Sequence, residues 1–435
     1  MRLGRIGLSL TRNGELSTAR LGPFLVLRPR EQGLVALARA LRKSFVELGP
    51  TFVKLGQLIA SSPGIFPPVF SEEFRRLLDD VPPEKPATVR RIVEAGLGAP
   101  VQTLFRCFDE RPRAAASIAQ VHRAELRDGR VVAVKVRRPG LSTRVERDLR
   151  LLKLFALPLE RAGSLGRTIS PVAIAEDFAT RLRVEMDLRI EAARMAEFGR
   201  NLHIGGGNPR IHVPEAIDGM VAESVLVMSF IDGDPIDTAA RRLGSEAVFD
   251  VGLEAMRAWL ESALRHGLFH GDVHAANIFY TASGDIALLD FGIMGELDPT
   301  WREVFRDMQR TAMIDGDYSR IIRNWKKVGV MPADIGDDHE IGLVVKATMD
   351  PLLDRAIGEI SIGELMRENI RLARQFGATA PRELVLISKQ LLYFERYGKE
   401  LAPTYNLARD LYLIRNVFPE EVARRTAEHG ITLPD

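Results

Sequence analysis

Cysteine and long apolar runs are scarce in this sequence, and each scarcity excludes a class of protein. One cysteine, Cys107, stands among 435 residues, so no internal disulfide can form. Proteins without disulfides typically work in a reducing compartment. Cys107 lies between Phe105 and Phe108 with no motif around it, which predicts a core position rather than a nucleophile.

Membrane spans and nucleic-acid binding are not predicted either. No stretch approaches the ~18 uninterrupted apolar residues that a span requires, and Met1–Leu10 lacks the apolar core of a signal peptide. We therefore expect a cytoplasmic protein and leave peripheral membrane contact open. The 60 basic and 58 acidic residues leave a net charge of +2, which gives no reason to expect nucleic-acid binding.

What is present is an α+β pattern in three parts. Apolar spacing predicts helices over 34–48 and 51–60. A serine cap with acidic residues in the first turn predicts a helix over 71–80, and long charged stretches predict helices over 142–160 and 171–203. Asp128-Gly129 joins two β-branched runs, 118–126 and 131–136, which predicts a hairpin. Further strands are expected over 211–213 and 225–230, and mainly helix from about 236. The predicted order is a helical extension over 1–100, a small strand-rich lobe over 101–232 and a larger, mainly helical lobe over 233–435.

Three polar residues have the spacing of a phosphoryl-transfer site. Asp272 precedes Asn277, a short predicted hairpin (278–280 with 286–289) follows, and Asp290 then opens an Asp-Phe-Gly sequence. Amide and carboxylate oxygens are ligands that Mg²⁺ prefers, and an aspartate ahead of them can orient or deprotonate an attacking hydroxyl. Each piece alone is common in turns. Their order matches the protein-kinase pattern, with His-Gly-Asp in place of His-Arg-Asp.

A lysine in the middle of an apolar strand points to the same chemistry. Burying an ammonium without a partner is costly, so Lys135 needs phosphates and a carboxylate, unless it faces water on an edge strand. Glu185, Asp187 and Glu191 lie on the following predicted helix. On an ideal helix Asp187 and Glu191 share a face, whereas Glu185 does not. We assign Glu191 to Lys135 and leave Glu185 and Asp187 for another partner. A solvated acidic face is the alternative.

A run of small residues precedes the predicted hairpin at the position of a kinase glycine-rich loop. It reads Ala114-Ala115-Ala116-Ser117. Alanine does not readily adopt the positive φ values that glycine allows, so this loop is expected to be stiffer and to approach phosphates differently. An incidental alanine run is the alternative interpretation.

Together these motifs resemble the UbiB family, also called AarF or ADCK, of atypical kinase-like proteins. The resemblance runs from about Leu48 to Gly292. Lys54-Leu55-Gly56-Gln57 is similar to the family's Lys-x-Gly-Gln motif, Glu185-Met186-Asp187 to its Glu-x-Asp motif, and residues 114–117 to its alanine-rich loop. The resemblance implies a protein-kinase-like, two-lobed fold whose N-terminal helical extension lies over the active site.

The resemblance also implies residue roles. ATP and Mg²⁺ are the implied ligands. Lys135 and Glu191 would form the phosphate-binding pair, Asp272 would stand at the acid/base position, and Asn277 and Asp290 would bind metal. Nucleotide contacts are implied for the alanine-rich loop (Ala114, Ala115, Ala116, Ser117) and for the adenine hinge (Met228, Phe230). A regulatory extension is implied for Lys54, Gln57, Glu185 and Asp187.

Three functions remain in view at this point. The first is a Mg²⁺-dependent ATPase or a phosphotransferase acting on a lipid or a quinone precursor. The second is an ATP-gated binding or chaperone-like protein that transfers no phosphate, with Lys54 paired to Glu185 as a lock. The third is a conventional protein kinase, which is disfavoured because Ile293 to Thr300 lacks an activation loop ending in Ala-Pro-Glu. The pattern assigns no oligomeric state.

Overall fold

The computed structural model describes residues 31–60, 68–74, 76–77, 82–161, 171–203, 210–356, 358–359, 361, 399 and 403–430. They divide into two compact units. The first takes in residues up to Ala192 together with 216–230, and the second takes in 193–215 together with 231 onward. One change of unit follows Phe230, and none falls at 100, so the three-part division stays a prediction.

The first unit combines helices with one six-stranded sheet. Its helices are α1 (Glu31–Leu48), α2 (Pro50–Ala60), α3 (Pro68–Phe74), α4 (Pro86–Leu97), α5 (Val101–Leu104), α6 (Leu141–Arg161), α7 (Pro171–Glu185) and the start of α8 (Leu188–His203). Its strands are β1 (Phe105–Phe108), β2 (Ala114–Ala115), β3 (Ala119–Leu126), β4 (Val131–Arg137), β6 (Ala216–Ala222) and β7 (Val225–Ser229). The strand order is β1-β3-β4-β7-β6, with β2 added alongside β3.

The predicted hairpin is confirmed at the centre of this sheet. β3 and β4 pair antiparallel from Ala119 opposite Arg137 to Glu125 opposite Val131. Gly129 closes the turn with φ +89°, a conformation that favours glycine.

One face of this sheet packs against α4 and the other against α8. On one face, valines of β4 and β7 pack against Val89 and Val93 of α4. On the other, Leu226 packs against Leu188 and Ala192 of α8. Because side chains alternate along a strand, β4 can bury valines on the first face and still present Lys135 on the second.

Cys107 corrects the expectation of a core cysteine, since its side chain is exposed. The register of β1 against β3 shifts between Phe105 and Cys107, which is a β-bulge. The bulge breaks the alternation of the strand, so Phe105 is buried while Cys107 turns outward.

The third predicted helix also differs from the structure. It was expected over 71–80, but α3 spans Pro68–Phe74 and gives way to a turn at Arg76. The predicted end at Asp80 lies outside the described residues. Proline is well tolerated in the first turn of a helix, which accounts for the earlier start at Pro68.

The second unit is mainly helical, as predicted. Its helices are the end of α8, α9 (Ile236–Leu243), α10 (Ser245–Glu261), α11 (Pro299–Arg310), α12 (Tyr318–Lys327), α13 (Asp338–Leu353), α14 (Leu411–Val417) and α15 (Pro419–His429). Its strands are β5 (Ile211–His212), β8 (Gly233–Pro235), β9 (Leu268–His270), β10 (Ile278–Thr281), β11 (Ile286–Leu288) and β12 (Met294–Glu296). They form a sheet of order β5-β11-β10-β8 and a pair β12-β9.

Two contacts link helix α10 to other parts of the second unit. The indole nitrogen of Trp259, on α10, donates to the carbonyl of His270 at 2.8 Å. Arg257 pairs at 2.8 Å with Asp410, whose side chain is fully buried and caps α14.

Among the helices in the described parts of the chain, none has the length and apolar character needed to cross a membrane.

Candidate active site

Lys135 and Glu191 form a close, largely buried ion pair in the first unit. Lys135 Nζ lies 2.7 Å from Glu191 Oε1, and the two side chains are 14% and 5% exposed. The structure therefore brings together the two residues that the sequence assigned to each other. Attraction between such charges is strong in a low-dielectric setting, and each offsets the desolvation cost of the other.

The helix that carries Glu191 is interrupted, which corrects the reasoning behind that assignment. One continuous helix was expected over 171–203, but α7 ends at Glu185 and α8 begins at Leu188. Asp187 therefore lies outside both helices, and its predicted helical face does not exist. Its carboxylate accepts from the backbone N–H of Arg189 at 3.0 Å, the geometry of a helix N-cap.

Asp187 is satisfied locally rather than by the extension. Its carboxylate also binds the guanidinium of Arg189, at 2.7 and 2.9 Å. These hydrogen bonds hold the pKa of Asp187 below its usual value, so the cap keeps its negative charge. The arrangement fixes the first turn of α8, where Glu191 stands.

Glu185 instead meets the N-terminal extension. Its carboxylate lies 2.6 Å from Lys54 Nζ on α2, with both side chains about one fifth exposed at 18% and 19%. Gln57 lies one turn further along α2 and is half-buried. A second, fully buried contact joins the same helix to α6, because Thr51 Oγ1 donates to Asp148 at 2.9 Å.

The alanine-rich loop lies directly before β3. Ala114 and Ala115 pair with Val121 and Gln120 as β2, and Ala116 N–H donates to the carbonyl of Ala119 at 2.8 Å. All of these alanines have negative φ, so the loop does not use the conformation that favours glycine. Ser117 is fully buried, and its Oγ has no hydrogen-bond partner among the described residues.

The two residues that the resemblance assigned to an adenine hinge lie at the end of β7 and directly after it. Met228 pairs with Ala133 on β4, and cross-strand partners share a face of the sheet. Ala133 is two residues before Lys135, so all three lie on the face that carries the lysine. Phe230 follows β7, and its ring lies 5.9 Å from the guanidinium of Arg123. The small Ala133 was not singled out by the motifs.

In the second unit, Asn277 and Asp272 are held together by the loop between β9 and β10. Asn277 Nδ2 donates to the backbone carbonyl of Asp272 at 3.0 Å. Because the amide nitrogen is used in this way, Oδ1 is left as a potential cation ligand. A 3₁₀ turn, Ala275–Asn277, brings this side chain to the start of β10.

Asp290 lies at the same end of the β10–β11 hairpin. Leu289 N–H donates to the Asn277 carbonyl at 2.9 Å, so Asp290 follows directly on that pair. Asp290 has φ +61°, the one positive value for a non-glycine residue among the described residues. Such strain is typical of functional positions. A carboxylate and an amide oxygen that follow from the same end of one hairpin are donor types that suit Mg²⁺.

His270 ties this loop to the Asp-Phe-Gly sequence. Its ring is fully buried, donates from Nε2 to the Leu289 carbonyl at 2.9 Å and accepts at Nδ1 from Asp272 N–H at 3.2 Å. Burial lowers the pKa of His270, so the neutral ring fits both contacts. The ring also meets Phe291 edge-on, with centroids 5.2 Å apart.

Two residues of this loop had no role from motif spacing. His274 Nε2 lies 3.7 Å from the Asp272 carboxylate and 3.2 Å from Asn277 Nδ2. Gly271 N–H donates to the Ile293 carbonyl at 2.9 Å, and an added Cβ there would lie about 3 Å from Ile293. The place of His274, two residues after Asp272, was its only signal in the sequence.

Family models and known proteins match most of this chain. The ABC1 atypical kinase-like domain matches residues 76–325, and the UbiB helical domain matches residues 345–406. An uncharacterized protein of Mycobacterium tuberculosis (strain ATCC 25618 / H37Rv) is 41% identical over 381 residues, covering 86% of this chain and 76% of that protein. A probable protein kinase UbiB of Aeromonas hydrophila is 33% identical over 389 residues, covering 88% and 70%.

A solved structure shows the same fold. It is the complex of Rv3197 with erythromycin from Mycobacterium tuberculosis, with a TM-score of 0.50, 24% sequence identity, and coverage of 81% of this chain and 92% of that one. The present chain belongs to the ABC1 family of atypical kinase-like proteins, of the UbiB type, and it has the family's kinase-like fold.

Proposed function

We propose that this protein binds ATP with Mg²⁺ and transfers or hydrolyses the γ-phosphoryl group. The observation that carries the proposal is the buried Lys135–Glu191 pair at 2.7 Å. A buried lysine held by a carboxylate is an arrangement that can present a positive charge to phosphates away from solvent. The buried Ser117 hydroxyl on the alanine-rich loop also supports a phosphate ligand there.

The residues of the second unit supply the rest of the chemistry. Asp272 would accept the proton of the attacking water or hydroxyl as its oxygen bonds to phosphorus and the bond to ADP breaks. Asn277 and Asp290 would hold the cation, which neutralises phosphate charge when bound. His270 keeps the backbone of Asp272 in register with Leu289, the residue before Asp290.

The acceptor class comes from relatives rather than from the geometry. Relatives that are 33% identical bear the name probable protein kinase UbiB, and the family resemblance associates such proteins with isoprenoid-quinone and lipid metabolism. We therefore propose a lipid or a quinone precursor as the partner of the ATP reaction. A protein acceptor is disfavoured, because α11 begins at Pro299, soon after the Asp-Phe-Gly sequence ends at Gly292.

The test is steady-state ATP hydrolysis with Mg²⁺, with and without lipid vesicles, in the wild type and in Asp290→Asn. Asparagine tolerates positive φ, so the variant removes charge while keeping the backbone conformation. Turnover in the wild type and a loss of at least about a hundredfold in the variant are expected, as for other electrostatic catalytic groups.

A matched control is Asp298→Asn, the same chemical change nearby. Asp298 caps α11 by accepting from Thr300 and Trp301 backbone N–H groups, and asparagine caps helices about as well as aspartate. Its turnover should equal the wild type. Equal turnover in Asp290→Asn and the wild type would contradict the proposed catalytic site.

A second candidate function is favoured by one contact. The Lys54–Glu185 pair ties the N-terminal extension to the residue that ends α7, just before the cap of α8. In an ATP-gated binding protein, nucleotide would act on this contact and no phosphate would be transferred. Tight Mg²⁺-ATP binding with no turnover in the wild type would select this function over the first.

A further inference from the structure

Arg138 contacts the backbone of the alanine-rich loop. It follows β4 by one residue and Lys135 by three, and its side chain is 8% exposed. Its Nε donates to the carbonyl of Ala116 at 2.8 Å, and its backbone N–H donates to the carbonyl of Ile118 at 2.8 Å. Both acceptors flank Ser117, so Arg138 fixes the backbone on either side of that residue.

The same guanidinium reaches the segment that leads out of the N-terminal extension. Its Nη1 donates to the Pro82 carbonyl at 3.0 Å and to the Glu84 carboxylate at 3.0 Å. We call residues 82–84 the strap. Arg138 therefore joins the strap to the alanine-rich loop through one buried, charge-compensated group.

A second buried side chain holds the strap in the same place. Gln120, 1% exposed on β3, accepts from the Glu84 backbone N–H at 2.8 Å. Its amide nitrogen lies 2.6 Å from His122 Nε2, and His122 Nδ1 donates to the Asp109 carbonyl at 2.8 Å. Burial lowers the pKa of His122, in keeping with a neutral ring that accepts from Gln120.

Loop position here has to be set through the backbone. Alanine side chains carry no polar atoms, so hydrogen bonds can hold residues 114–116 only through their main-chain groups. A planar guanidinium donates from separate nitrogens in a fixed plane, Nε toward Ala116 and Nη1 toward the strap, and the single nitrogen of an ammonium cannot span both positions. A loop that is fixed before the ligand arrives loses less entropy on binding.

We propose that Arg138 is the positioning residue of the alanine-rich loop, and that the strap contributes to nucleotide affinity through it. The affinity part of this inference rests on the proposed ATP binding. The loop part does not, because it concerns hydrogen bonds present without any ligand. Neither Arg138 nor the strap touches the reacting atoms in this account.

The test compares the full-length wild type with Arg138→Met and Glu84→Gln by hydrogen exchange and by Mg²⁺-ATP titration. Without nucleotide, amides of residues 114–118 should exchange about tenfold faster in Arg138→Met, because local opening becomes easier. Mg²⁺-ATP should bind about tenfold more weakly, the equivalent of ~1.4 kcal/mol. Glu84→Gln keeps an acceptor and loses the charge, so its effects should be about threefold.

A matched control is Arg137→Met, the neighbouring residue. Arg137 is also largely buried and also donates to a carbonyl and a glutamate, but these are Met186 and Glu223 rather than the loop. In Arg137→Met the amides of residues 114–118 should exchange at the wild-type rate. If Arg138→Met fails to fold, Arg138→Lys takes its place and should show the same loop effect at a smaller size.

The outcomes separate the two claims. A wild type that does not bind Mg²⁺-ATP overturns the proposed function, while the exchange rates still decide the role of Arg138. Wild-type loop exchange and wild-type affinity in the Arg138 variant overturn the inference. Faster exchange spread evenly over β3 and β4, with no excess at residues 114–118, would show a purely structural role and also overturns it.

Discussion

His270 shows most clearly how a single residue links two motifs. Its neutral ring bridges the Asp272 backbone and the Leu289 carbonyl, and both contacts depend on which nitrogen carries the proton. Burial lowers the pKa of His270 because the charged ring would be poorly solvated. The folded protein therefore prefers the neutral ring, whereas the unfolded chain titrates near 6.5.

This preference predicts a pH dependence of stability. As pH falls below 6.5, His270 binds a proton in the unfolded chain more readily than in the folded protein. The free energy of unfolding should therefore fall with pH, by at most ~1.4 kcal/mol per unit for one proton. His270→Asn should be less stable at pH 8 and show a shallower decline, measured by urea unfolding between pH 8 and 5.

The control for this prediction is His429→Gln, at the exposed end of α15. Burial also lowers the pKa of His122 and His266. Both residues are present in the wild type and in His270→Asn, so they contribute the same pH dependence of stability to each protein. An unchanged slope in His270→Asn would contradict the account of a buried neutral ring.

The partner of Lys135 was predictable from sequence, and the backbone of Asp290 was not. A lysine that is buried in an apolar strand needs an anionic partner, so an acidic residue on the following helix was the natural candidate, and Glu191 was found even though the helical face used to choose it does not exist. Asp290 has φ +61°. Aspartate adopts positive φ more often than most residues, but its presence in Leu289-Asp290-Phe291 does not by itself specify that conformation.

At the scale of elements, helix α2 depends on the glycine of its Lys-x-Gly-Gln motif. A Cβ added to Gly56 would lie 2.2 Å from Leu77 Cδ1 and 2.7 Å from Phe74 Cδ1. Phe74 is 1% exposed and has little room to move. The glycine therefore permits a close approach of α2 to the residues at the end of α3.

Gly56→Ala should lower the free energy of unfolding by about 1–3 kcal/mol, because overpacking outweighs the helix propensity gained. Gly199→Ala on α8 is the matched control. Its added Cβ would meet Val213 at 3.8 Å, an ordinary contact. That variant should be unchanged or up to ~1 kcal/mol more stable. Urea unfolding of both variants decides the matter, and equal stabilities would contradict the close packing.

The apolar periodicity of the sequence did not predict the break between α7 and α8. No glycine or proline stands near Met186, so the apolar pattern runs on without a visible stop. Asp187 was the one available signal, since aspartate favours N-cap positions. The β3–β4 hairpin was predictable because Asp128-Gly129 specifies its turn locally, whereas the bulge that exposes Cys107 depends on pairing with a distant strand.

At the scale of the whole molecule, the proposal assigns phosphate binding to the first unit and cation binding to the second. The N-terminal extension belongs to the first, where Lys54 contacts Glu185 at 2.6 Å. Glu185 ends α7 two residues before Asp187, which caps the helix bearing Glu191. A change at Lys54 should therefore be felt at the Lys135–Glu191 pair.

A double-mutant cycle with Lys54→Met and Glu185→Gln tests this coupling. If the contact locks the extension, the effects on Mg²⁺-ATP affinity should be non-additive by about 1 kcal/mol, the range for residues in direct contact. Additive effects within ~0.3 kcal/mol would remove the lock. Lys43, exposed on α1, provides the control variant Lys43→Met.

Titration of ATP with and without Mg²⁺ tests the central claim most directly, in the wild type, Lys135→Met and Asp290→Asn. The account predicts that Mg²⁺ tightens ATP binding to the wild type and that Asp290→Asn loses this dependence. Lys135→Met should weaken binding by about tenfold whether or not Mg²⁺ is present. Wild-type affinity that is indifferent to Mg²⁺, or equal in all three proteins, would contradict it.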